Sequence, residues 1–116
     1  MKKKVELNYD QRGLIPAVIQ DARTKQVLML GWMNGQALEL TRNSGQVHFW
    51  SRSRSELWRK GSTSGNSFTL VEMTVDCDGD ALLLQVDPAG PACHTGHDTC
   101  FFRKIGNNEI DGVKLL

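Results

Sequence analysis

The chain has 116 residues, the size of one ordinary domain, and should bury about two thirds of the surface it would expose unfolded. Hydrophobic residues at 40% and charged residues at 23% exclude a disordered chain, and Lys+Arg 14 against Asp+Glu 13 leaves a net charge of +1, too little for a global field that gathers polyanions. No apolar run approaches the roughly 18 residues needed to span a bilayer, and no apolar signal core follows the basic start Met1-Lys2-Lys3-Lys4. The expectation is a soluble cytoplasmic protein with neither a membrane nor a nucleic acid as partner.

In chain order, Leu14 to Gln20 reads as a buried strand with Pro16 near its start. Asp21 to Lys25 is turn-like and Gln26 to Leu30 returns as a second apolar run, which predicts a hairpin. Asn34 is placed to cap a helix over about residues 35–43, with Ala37, Leu38 and Thr41 on one face, and Gly45 to end it. Val47 to Ser51 reads as a strand, and Ser53 to Trp58 as one helical turn. From Phe68 to Cys77 the sequence alternates, with Leu70 out of step. Val71, Met73, Val75 and Cys77 fall on one face, and Glu72, Thr74, Asp76 and Asp78 on the other. Asp78-Gly79 is a turn signal, Ala81 to Val86 the returning strand, and Phe101 to Lys104 a last short strand before a weakly patterned tail. No repeat or linker divides the chain. A single α+β domain over residues 1–116 is predicted, with a mainly antiparallel β-sheet or roll and one or two short helices.

Three constellations could carry chemistry. The first is Cys77, Cys93, His94, His97 and Cys100. Three cysteines cannot all pair as disulfides, so inert core thiols, a reactive thiol and a metal site all stay open. Zinc prefers sulfur and nitrogen donors; three thiolates with an open position would be catalytic, and a histidine as fourth ligand would close the site. The loop from Cys93 to Cys100 is small and polar, which suits ligand presentation. Cys77 lies far back on a strand, and its spacing alone does not bring it to the others.

The second constellation is Asp76-Cys77-Asp78-Gly79-Asp80. Crowded carboxylates repel, so they need a cation or raised pKa values, and oxygen donors suit magnesium or calcium. A plain solvated turn is the alternative. An EF-hand is excluded, because Ala81 stands where that loop needs glycine.

The third runs from Trp50 to Asn66. Arg52, Arg54, Arg59 and Lys60 concentrate positive charge, and Thr63, Ser64 and Gly65 offer neutral donors, a combination that matches phosphate. Trp50 and Trp58 offer faces for a purine or a guanidinium, or else turn into the core.

Together these segments resemble the phosphoribosyl-AMP cyclohydrolase family of histidine biosynthesis. The matching text is Trp50-Ser51-Arg52-Ser53-Arg54, Leu57-Trp58-Arg59-Lys60-Gly61, Thr63-Ser64-Gly65, Asp76-Cys77-Asp78-Gly79-Asp80-Ala81-Leu82-Leu83-Leu84, Gly90-Pro91-Ala92-Cys93-His94-Thr95-Gly96 and Cys100-Phe101. Upstream, Gly13-Leu14-Ile15-Pro16-Ala17 and Val27 to Asn34 also look like the family, so the resemblance covers about residues 13–104. Trp32 departs from it, standing where tyrosine is more usual. His97-Asp98 carries no assigned role.

The resemblance implies an enzyme that hydrolyses the N1–C6 bond of the adenine ring of N1-(5-phosphoribosyl)-AMP through a water that zinc activates. It implies Cys77, Cys93 and Cys100 as zinc ligands and Asp76, Asp78 and Asp80 as magnesium ligands. It also implies an intertwined homodimer in which Cys77 of one chain joins Cys93 and Cys100 of the other. His94, an imidazole beside a ligand, is the candidate base, or alternatively a ligand or a group behind one. Arg52, Arg54, Trp58, Arg59, Lys60, Thr63, Ser64 and Gly65 are the candidate substrate-binding residues. In some relatives a pyrophosphohydrolase domain follows; a chain stopping at Leu116 is expected to be monofunctional. The competing classes are a zinc-stabilised nucleotide- or RNA-binding module and a zinc-dependent deaminase of adenine nucleotides.

Overall fold

The strands form where apolar residues alternate and pair. In the computed structural model, which describes residues 5–105, β1 (Ile15–Asp21) turns back through residues 22–26 into β2 (Val27–Met33), the antiparallel hairpin expected from sequence. Ile15, Ala17 and Ile19 of β1 are fully buried, and Asp21 closes the turn by accepting from the Arg23 amide at 2.8 Å and the Thr24 amide at 3.2 Å. Helix α1 (Gly35–Ser44) starts at Asn34, whose Oδ1 accepts from the Ala37 amide at 2.8 Å, and stops at Gly45, whose φ of 73° is left-handed. Ala37, Leu38 and Thr41 are its buried face, as the spacing predicts. The Thr41 hydroxyl accepts from the His48 amide at 2.9 Å and ties the helix to β3 (His48–Ser51).

After β3 the structure departs from the helical turn expected over Ser53 to Trp58. Residues 52–55 make a tight turn in which Ser55 has a φ of 51°, and Glu56–Arg59 is a strand, β4, antiparallel to β3. The cause is pairing: Phe49 faces Trp58 across the ladder with ring centroids 5.0 Å apart. The Phe49 ring in turn fits against β2 because residue 31 is glycine, where a Cβ would fall 2.5 Å from the ring.

β5 (Phe68–Val75) and β6 (Leu82–Pro88) complete a four-stranded sheet in the order β2-β1-β6-β5. The β1–β6 pair is parallel and the other two are antiparallel, so the sheet is mainly antiparallel with one helix. The expected single-phase alternation along β5 does not hold. A bulge between Leu70 and Glu72 leaves Val71 out of the ladder and 60% exposed. The extra residue reverses the phase, so Phe68 and Leu70 face inward before it and Met73 after it. Phe101 to Lys104 is not a strand either. The chain there is held just ahead of it, where the Thr99 hydroxyl donates to the Val27 carbonyl at 2.8 Å and the Cys100 amide to that of Leu28 at 2.7 Å. The core lies between the inward faces of β1 and β6, Leu28, Met33, Phe68 and the α1–β3 layer. The tail predicted to be weakly patterned after Gly106 lies outside the described residues. Among the described residues no helix is long and apolar enough to cross a membrane.

Candidate active site

The β3–β4 hairpin, the loop from Gly61 to Ser67 and the cysteine loop meet around a cavity of about 700 Å³. Arg54, Trp58, Arg59, Lys60, Thr63 and Ser64 line it, together with His94 and Cys100. Arg52 lines an adjoining cavity of about 610 Å³ that shares Arg54, Trp58 and His94 with the first. Gly65 stands outside both linings, with its amide donated to the Gly61 carbonyl at 2.9 Å. Met29, Leu57 and Ala92 supply apolar wall that the sequence did not flag, since on a strand or beside a cysteine they look like ordinary core.

The four cations of the basic segment differ in their engagements. The Arg52 guanidinium lies 4.6 Å from the centroid of the Trp32 ring. Arg54 Nε pairs with Glu56 Oε1 at 3.3 Å on the surface. Lys60 Nζ donates to the Ala92 carbonyl at 2.6 Å and sits 5.3 Å from the Phe68 ring centroid, so it fastens the basic segment to the cysteine loop. Burial lowers the Lys60 pKa, against the raising effect of Cys100 and Cys93. Arg59 makes no ion pair or side-chain hydrogen bond among the described residues, and it lines the cavity.

The cysteine loop folds back on itself. The Gly96 amide donates to the Cys93 carbonyl at 2.9 Å and the Cys93 amide to the His97 carbonyl at 3.2 Å, with Gly96 at a φ of 93°. That return brings Cys100 near Cys93, close enough for each thiol to act on the other's proton. Hydrogen bonds from the Thr95 hydroxyl and amide hold the Cys93 thiol below its ordinary pKa, assisted by Cys100 and by the charge of Lys60. Burial, followed by the negative charge of Cys93, pushes Cys100 up. Of the two thiols, Cys93 is therefore the first to become a thiolate. Thr95 was missed at the sequence level; its hydroxyl two residues after a cysteine was the available signal.

Cys77 is exposed, two residues past the end of β5. Within one chain it does not join the other two sulfurs: among the described residues, the only group of three or more converging His, Cys, Asp or Glu side chains is Asp76, Asp78 and Asp80. Their ligand atoms all lie within 4.8 Å of one another. It is the turn, not a strand face as the alternation suggested, that gathers them, because β5 ends at Val75. Asp76 Oδ1 accepts from the Asp80 amide at 3.0 Å and the Ala81 amide at 3.3 Å. The N-terminal segment straps the turn from outside, Asn8 donating from its amide to the Gly79 carbonyl and from its side chain to that of Asp78, both at 2.7 Å. Hydrogen bonding to Asp78 and Asp76, with burial and their charges behind it, pushes Asp80 up to about 6. For Asp76 burial works upward, but hydrogen bonds from Asp80, Ala81 and Asp78 outweigh it and leave that carboxyl below its ordinary value.

A sequence model of the phosphoribosyl-AMP cyclohydrolase family matches residues 29–102, a span that includes the basic segment, the acidic turn and all three cysteines. The phosphoribosyl-AMP cyclohydrolase of Sphingopyxis alaskensis is 62% identical over 104 residues, 90% of this chain and 80% of that one. The enzyme of the same name from Archaeoglobus fulgidus is 51% identical over 106 residues, 91% of this chain and 98% of that one. The histidine biosynthesis bifunctional protein HisIE of Caldanaerobacter subterraneus subsp. tengcongensis is 51% identical over 111 residues, 96% of this chain but 54% of that longer protein. On identity and coverage of this extent, the chain belongs to the phosphoribosyl-AMP cyclohydrolase family.

Proposed function

We propose that this chain opens the adenine ring of N1-(5-phosphoribosyl)-AMP by hydrolysing its N1–C6 bond, a step of histidine biosynthesis, with zinc and magnesium as cofactors. The observation that carries the reading is the shared wall: Cys100 and His94 line the same cavity as Arg54, Arg59, Thr63 and Ser64. The Cys100 sulfur and the phosphate donors thus face one space large enough for a nucleotide.

The donor sets fit the two metals. Cys93 and Cys100 present adjacent sulfurs, one of them shifted toward thiolate, which suits zinc. Asp76, Asp78 and Asp80 present oxygen alone, which suits magnesium. The third sulfur, Cys77, comes from a second copy of the chain in this reading. It follows an edge strand on which Val71 and Val75 are 60% and 39% exposed, apolar surface suited to burial in a homodimer. Bound zinc supplies a Lewis acid that lowers the pKa of water.

The chain's own residues do the rest. Arg59 and Arg54 bind the two phosphates as charged forks, and the Thr63 and Ser64 hydroxyls add neutral donors. Trp58 offers a face to the purine. Lys60, committed to the Ala92 carbonyl, keeps the cysteine loop against the phosphate side. His94 takes a proton from the attacking water and returns one to N1 as the C6–N1 bond breaks. The exocyclic nitrogen stays on C6, which becomes a carboxamide still bonded to the purine's C5 on the imidazole ring. Holding both phosphates fixes C6 beside the sulfurs, and such positioning contributes several kcal/mol toward the barrier.

The test is the ultraviolet spectrum of purified protein with phosphoribosyl-AMP, together with metal analysis. Ring opening changes the chromophore. Binding without a spectral change would point to a nucleotide- or RNA-binding module, and ammonia release to a deaminase; either result removes the cyclohydrolase reading.

A further inference from the structure

One short chain of contacts reaches the Cys93 sulfur from the protein side and ends at His97. Thr95 Oγ1 donates to Cys93 Sγ at 2.9 Å, and the same oxygen lies 2.9 Å from His97 Nδ1. A hydroxyl has one hydrogen and accepts through its lone pairs. With that hydrogen directed at sulfur, the Thr95 oxygen can only accept from His97, so Nδ1 carries a proton. The imidazole is held in place by a stack on Phe102, with ring centroids 3.7 Å apart and planes 4° from parallel. Its main chain is tied to the same cysteine, the His97 carbonyl accepting from the Cys93 amide.

We propose that His97 is a positioning residue: its Nδ1–H orients the Thr95 hydroxyl onto the Cys93 sulfur. Left alone, an exposed threonine hydroxyl turns between sulfur and solvent. Accepting from His97 on one side leaves its hydrogen one good direction. The consequence, a sulfur held ready for metal, rests on the zinc reading above; the orientation itself does not. Groups that orient metal ligands from behind change metal affinity by about 10–100-fold when removed.

Two measurements on the full-length protein test this. The first is the His97 tautomer, read from imidazole nitrogen shifts. Nδ1–H is expected; an Nε2–H ring with bare Nδ1 overturns the proposal. The second is zinc affinity by chelator competition. His97→Phe keeps an aromatic ring to stack on Phe102 and removes the donor; it should lose about tenfold. His97→Asn puts an amide N–H near the Nδ1 position and should recover most of that loss. Thr95→Val should weaken zinc similarly, and adding His97→Phe to it should cost nothing further. Wild-type affinity in His97→Phe would overturn the positioning role. A protein that takes up no zinc yet shows the Nδ1–H tautomer would sink the zinc reading and leave the orientation standing.

Discussion

The cysteine loop and the acidic turn are both tight polar bends, yet they hold their charge in opposite ways. In the loop, Cys93 is buried and receives the Thr95 hydroxyl, with Cys100 beside it and Lys60 nearby, so protein donors favour its thiolate. In the turn, three exposed carboxyls receive only the backbone amides of Asp80 and Ala81 and one another, and Asp80 holds a proton up to about pH 6. A site that stabilises its own anion is organised before its ligand arrives. A site whose anions oppose each other relieves the repulsion with a proton, as Asp80 does, or with a bound cation.

The largest expected effect is on the loop side. Cys93→Ala should abolish zinc binding and nearly all turnover while leaving folded protein, checked by metal analysis and the spectral assay; full activity without metal would end the zinc proposal. Arg59→Ala should raise KM severalfold or more with a smaller change in kcat, as for a lost phosphate contact, and an unchanged KM at fixed ionic strength would make that arginine structural. Lys60→Met should cost about 1–3 kcal/mol in denaturant unfolding, since the Ala92 carbonyl loses a charged partner. No change there would mean that the loop holds its place without the lysine.

The smallest effect belongs to the turn and depends on pH. Asp80 is raised above its ordinary value, so the stability tied to its proton is complete below about pH 4 and lost as pH rises through about 6. In the magnesium reading proposed above, the cation takes the place of that proton. Its gain in melting temperature should therefore be larger at about pH 7.5 than at about pH 5. Equal gains at the two pH values would separate the carboxyl cluster from magnesium binding.

Much of the fold was legible because its signals are local. Asn34 and Gly45 bound α1 through contacts within four residues, and Ala37, Leu38 and Thr41 share a face by helical period alone. The first hairpin followed from two apolar runs and a turn. The sequence went astray where a distant partner decides. Glu56–Arg59 became a strand because β3 pairs with it, and the β5 phase reversed where the ladder with β6 skips Val71. The same division runs through the site. The donor types were readable as residue types, whereas Lys60 reached the carbonyl of Ala92 only because two loops meet.

By itself the sequence determined the helix and its ends, the first hairpin and the sets of sulfur, carboxylate and cationic groups, because caps, turns and side-chain chemistry act over a few residues. Tertiary structure alone decided that Cys93 and Cys100 come together while Cys77 stands apart, and that Lys60 binds a loop carbonyl while Arg59 has no side-chain partner among the described residues. Those outcomes depend on which surfaces are buried together, and residues far apart in the chain set that jointly.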